Sequence, residues 1–237
     1  PYSMPHYEPL GELDIAMGVH TPFVSSWTPQ SPEMDSYKGS LDLMRGVYTV
    51  THSKGGVNYT REMFASFPAQ VICLRLRADK PGALDLDIQM DRMKYSDSKS
   101  ADDRRPGKVV RGGGWGAVLL QENRTYGGDT IVISGSTAGV GYAGAVKVVC
   151  DGQLLDPTSQ LLVRGATEVC IYMAGSTTNR EQDPKATVLN LVEKAAQRGF
   201  EALLEEHIAD FEPKMRACTL DLGDEPIHQG LRDTVVM

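Results

Sequence analysis

His52 and Glu62 stand in neighbouring apolar runs of this 237-residue sequence and are the pair best suited to proton transfer. A histidine and a carboxylate converging on one sheet could take a proton from a sugar hydroxyl and return it elsewhere. Asp102 and Asp103 are adjacent carboxylates, but they share a charged segment with Arg104 and Arg105. Nothing apolar there would raise one pKa above the other, so they read as solvated charge. Gly112-Gly113-Gly114-Trp115-Gly116 has the glycine content of a phosphate cradle. No Gly-Lys-Ser/Thr follows, and Ala117 to Gln121 reads as a strand rather than a helix, so the glycines predict a bulge or tight turn. His207 has no second ligand four residues away, which argues for an interface histidine rather than a metal ligand. Trp27 and Trp115 could stack on a sugar ring if exposed, although tryptophan more often caps a core.

The elements that would position these groups are mainly strands. Val47 to His52 is rich in β-branched and aromatic residues and stops at Lys54-Gly55-Gly56, where glycine permits positive φ and a hairpin. From Val57 onward, Val57, Tyr59, Met63 and Ala65 fall near one face. Val71 to Arg77 sends Ile72, Leu74 and Leu76 to one side and passes from Val71 and Cys73 to Arg75 and Arg77 on the other, which predicts a strand half exposed at its end. Leu84, Leu86, Ile88 and Met90 alternate with Asp85, Asp87, Gln89 and Asp91, the signature of a strand with one core face. Further strands are predicted at Leu13 to Met17, Val118 to Gln121, Thr130 to Ser134, Gly141 to Cys150, Leu161 to Arg164 and Glu168 to Met173. Much of Pro1 to Gly39 reads as irregular, and Arg92 to Gly107 as a long polar loop. Short strands with turns between them and no intervening helix predict a mainly β fold, an antiparallel β-sandwich.

The pattern then turns helical. Asp183-Pro184 offers an N-cap and a proline at the first helical position, followed by Val188, Leu191, Val192 and Ala195 at helical spacing, with Gly199 as the stop. A second helix from about Phe200 to Met215 carries Phe200, Leu203, Leu204, His207, Ile208, Phe211 and Met215 along one stripe, and Glu205 and Glu206 away from it.

Charge and cysteine usage narrow the function. A net charge of −7 disfavours nucleic acid and anionic membrane surfaces, which need a positive footprint. No apolar run approaches the roughly 20 residues that span a bilayer, and no signal peptide is legible. Cys73, Cys150, Cys170 and Cys218 each sit in or beside an apolar run and none forms a Cys-x-x-Cys pair. They read as core thiols rather than metal ligands, with Cys150 and Cys170 the one pair that invites a disulfide.

Gly56-Val57-Asn58-Tyr59-Thr60-Arg61-Glu62-Met63-Phe64-Ala65-Ser66, then Pro68, Gln70, Val71 and Ile72, resembles glycoside hydrolase family 95, whose members are mainly α-L-fucosidases. Tyr7-Glu8-Pro9-Leu10-Gly11-Glu12-Leu13 is a second landmark, and His207 to Phe211 followed by Leu220-Asp221-Leu222-Gly223 a third. The resemblance implies a galactose-mutarotase-like supersandwich over residues 1–180, lacking the family's first strands. It further implies two linker helices over 181–223, and over 224–237 the start of an (α/α)6 barrel that is absent from the chain. The general acid and the water-activating groups of such an inverting enzyme belong to the barrel. No catalytic residue is therefore expected in this chain, no metal and no cofactor, and Glu62 is expected in a structural ion pair.

On this reading the chain supports the C-terminal barrel of its own polypeptide, is inactive alone, and the whole enzyme acts on a fucosylated glycan. The alternatives are a parent α-L-galactosidase or a carbohydrate-binding sandwich module. The module would use exposed aromatics among Trp27, Tyr37, Tyr95, Trp115 and Tyr126, and its sugar contacts would be Trp27 and Trp115. The resemblance is compatible with a periplasmic or extracellular setting.

Overall fold

The computed structural model describes residues 10–17, 35–91, 109–112, 116–137, 139–157 and 160–218, with backbone alone described over 109–122 and at 137. The strands are β1 (Glu12–Met17), β2 (Ser36–Asp42), β3 (Val47–Lys54), β4 (Val57–Ser66), β5 (Val71–Ala78), β6 (Leu84–Asp91), β7 (Val109–Gly112), β8 (Gly116–Tyr126), β9 (Thr130–Thr137), β10 (Val140–Cys150), β11 (Gln153–Leu155), β12 (Gln160–Ala166) and β13 (Glu168–Thr177). Two helices follow, α1 (Pro184–Arg198) and α2 (Phe200–Arg216). The protein is mainly β, a sandwich of two antiparallel sheets with helices after it.

Among the described residues the larger sheet has nine strands in the order β2-β3-β4-β5-β13-β10-β9-β8-β7, and the smaller has four, β1-β6-β12-β11. The β3–β4 hairpin follows from its turn. Lys54 pairs with Val57 across Gly55 and Gly56, whose φ values of 59° and 72° suit a two-residue type I′ turn. The alternation in β6 puts Leu84, Leu86, Ile88 and Met90 between the sheets, all essentially inaccessible. They meet Leu76 and Ala78 of β5, Ile131 and Ile133 of β9, Val146 and Val148 of β10, Val169 and Ile171 of β13, and Leu161 and Val163 of β12.

A third layer lies on the opposite face of the large sheet. Asp183 caps α1 by accepting from the Ala186 N–H at 3.0 Å, and Gly199, at φ 78°, separates the helices. Val188, Val192, Ala195, Phe200 and Leu203 descend on Phe64, Cys73, Val132, Ala143, Ala145, Cys170, Tyr172 and Ala174. The apolar stripe of α2 is thus spent largely on this chain's own sheet. At the far end of α2, Gly46 (φ 62°) lies in the β2–β3 turn directly beneath the Phe211 ring, where a Cβ would come within 2.9 Å of it.

The structure corrects two sequence expectations. Ser36–Asp42 is a strand, β2, although the region up to Gly39 reads as irregular; it is an exposed edge strand whose one neighbour, β3, requires no apolar alternation of it. Arg75 is buried rather than half exposed, because α2 covers it. Of the glycine run, Gly112 of β7 pairs with Gly116 of β8, and 113–115 lie outside the described residues.

Candidate functional site

The register of the β3–β4 hairpin decides the His52–Glu62 pair. His52 lies opposite Tyr59, whereas Glu62 lies opposite Thr49, three positions along β3 from His52. Side chains alternate between faces, so His52 points toward the small-sheet side and Glu62 toward the helices. The two groups do not converge. His52 stacks on Tyr59 with ring centroids 4.9 Å apart, and burial, aided by the Arg61 charge, holds its pKa below the ordinary histidine value.

Glu62 is instead the middle of a charged cluster beneath α2. Its Oε2 accepts from Arg75 Nη2 at 2.7 Å and from Arg77 Nη2 at 3.0 Å. Arg75 also donates to Glu201, the second residue of α2, and its guanidinium carbon lies 4.1 Å from the centroid of the Phe200 ring. The donors of both guanidinium groups converge on Oε2, so Glu62 ties β4 to β5 and, through Arg75, to α2, and the cluster fixes the helix on the sheet.

Lys147 and Asp87 are similarly committed. Lys147 of β10 reaches Asp129 at 2.6 Å and Glu193 of α1 at 3.0 Å. Burial works against its charge, but those two carboxylates hold its pKa above the usual lysine range. Asp87 pairs with Arg164 at 2.7 Å, joining β6 to β12. His207 is buried in α2 with its Nε2 2.9 Å from the Arg45 carbonyl oxygen and its ring 4.9 Å from that of Phe64. It joins α2 to the β2–β3 turn and to β4, as an interface histidine would. Among the described residues no group of three or more His, Cys, Asp or Glu could hold a metal ion.

Of the aromatic side chains considered for sugar stacking, Trp27, Tyr95 and Trp115 lie outside the described residues, as do the segment Arg92 to Gly107 and the landmark Leu220 to Gly223. Tyr37 is exposed on β2. The Tyr126 ring has the Arg124 guanidinium carbon 4.6 Å and the Lys185 ammonium 4.7 Å from its centroid, so cations already occupy the surroundings of its face. The cysteines are free thiols; Cys73 and Cys170 are buried as core thiols would be, whereas Cys150 is half-buried and Cys218, beyond the end of α2, is exposed. Cys150 pairs with Val169 and Val149 with Cys170, which sends Cys150 and Cys170 to opposite faces of the sheet and rules out their disulfide.

The strands and helices of the described residues are fastened to one another by ion pairs. Residues 1–182 match the family described as Glycosyl hydrolase family 65, N-terminal domain. The chain belongs to that family. Two relatives carry fucosidase names. "Alpha-L-fucosidase 2" of Arabidopsis thaliana is 40% identical over 65 residues, 27% of this chain and 8% of that protein. "Probable alpha-fucosidase A" of Aspergillus oryzae is 24% identical over 207 residues, 81% of this chain and 26% of that protein. The chain therefore spans about a quarter or less of the length of these relatives. A solved structure described as a kojibiose phosphorylase from human microbiome overlaps 76% of this chain and 25% of that one, with a TM-score of 0.49 at 10% identity.

Proposed function

We propose that this chain is the non-catalytic N-terminal domain of an α-L-fucosidase-like glycoside hydrolase, with residues 1–180 as the sandwich, 181–223 as the linker and 224–237 entering an (α/α)6 barrel. The observation that carries the reading is the alignment with the Aspergillus oryzae fucosidase, which runs through 81% of this chain while taking in 26% of that protein. Hydrolysis with inversion needs a carboxylic acid on one side of the anomeric carbon and an activated water on the other. In support, Glu62, Asp87 and Asp129 are each tied to a cation within the domain. The barrel of the same polypeptide supplies the catalytic groups, and this domain supports it and borders its active-site rim.

The test is to give a polypeptide extended beyond these residues α-L-fucosides and α-L-galactosides side by side and to follow the anomer released by NMR. Preferential release of β-L-fucose from the α-fucoside is expected. Release of the α-anomer, or activity on neither sugar, overturns the assignment.

A further inference from the structure

We draw no further inference here: the strongest candidate, the exposed apolar patch at one end of the large sheet formed by Leu43 of the β2–β3 turn, Phe67 of the β4–β5 turn and Met215 in the last turn of α2, carries no proposal because nothing in the structure shows what covers it.

Discussion

Arg75 lies with its guanidinium carbon 4.1 Å from the centroid of the Phe200 ring, so one side chain of the sheet meets both the first residue of α2 and, through its ion pair, the second. The side chain is 7% exposed, and its remaining donors are directed at Glu62. This contact closes the helical layer onto the sandwich.

Replacing Arg75 should therefore loosen α2 and strand a partly buried carboxylate. Arg75→Met is expected to cost about 3 kcal/mol, because breaking a buried pair leaves the partner's charge poorly compensated. Arg75→Lys should fall between, since an ammonium cannot make the forked contacts. Urea unfolding followed by circular dichroism measures both. Combining Arg75→Met with Glu62→Gln should recover part of the loss, and a strictly additive double variant would contradict the pairing.

His52 gives the fold a pH dependence of known sign. Burial, with the Arg61 charge, lowers its folded pKa below the unfolded value near 6.5. The unfolded chain therefore binds more protons between those two values. The stability His52 contributes is complete above about pH 6.5 and is lost as the pH falls toward the folded pKa. Unfolding free energies measured from pH 7.5 to 5 should decline in the native protein, with a shallower decline in His52→Gln. An unchanged slope in the variant would contradict the assignment.

The thiols should separate by reactivity. Cys73 and Cys170 face the buried helical layer, and burial pushes their pKa values up to about 12 and about 11. Cys218 is exposed. Thiolate, not thiol, attacks alkylating agents. Iodoacetamide at pH 8 followed by peptide mass mapping should label Cys218 first, with Cys73 and Cys170 labelled only at the pace of unfolding. Rapid labelling of Cys73 in the folded protein would contradict this packing.

Much of the fold is legible in the sequence where one residue pattern meets one environment. The alternation from Leu84 to Met90 needs only a core on one side, and the Asp183-Pro184 start and Gly199 stop fix the helices by local backbone chemistry. The strands that escape a sequence reading are β2, β7 and β11, all at sheet edges. An edge strand has one ladder partner and often little to bury, so its side chains need not advertise it. Arg75 misleads for a different reason: its charge reads as exposure until Glu62, Glu201 and Phe200 are brought to it by the fold. The separation of His52 from Glu62, by contrast, is encoded locally. A two-residue turn at Gly55-Gly56 makes Lys54 face Val57, and counting back places His52 against Tyr59 and Glu62 against Thr49.

On the proposed function, these residues support chemistry performed elsewhere in the polypeptide. The direct test is release of L-fucose from a 2′-fucosylated oligosaccharide, with residues 1–237 and an extended polypeptide assayed at equal concentration. Fucose release confined to the extended protein is the expected result. Release by residues 1–237 alone, abolished by Glu62→Gln or His52→Gln, would contradict it.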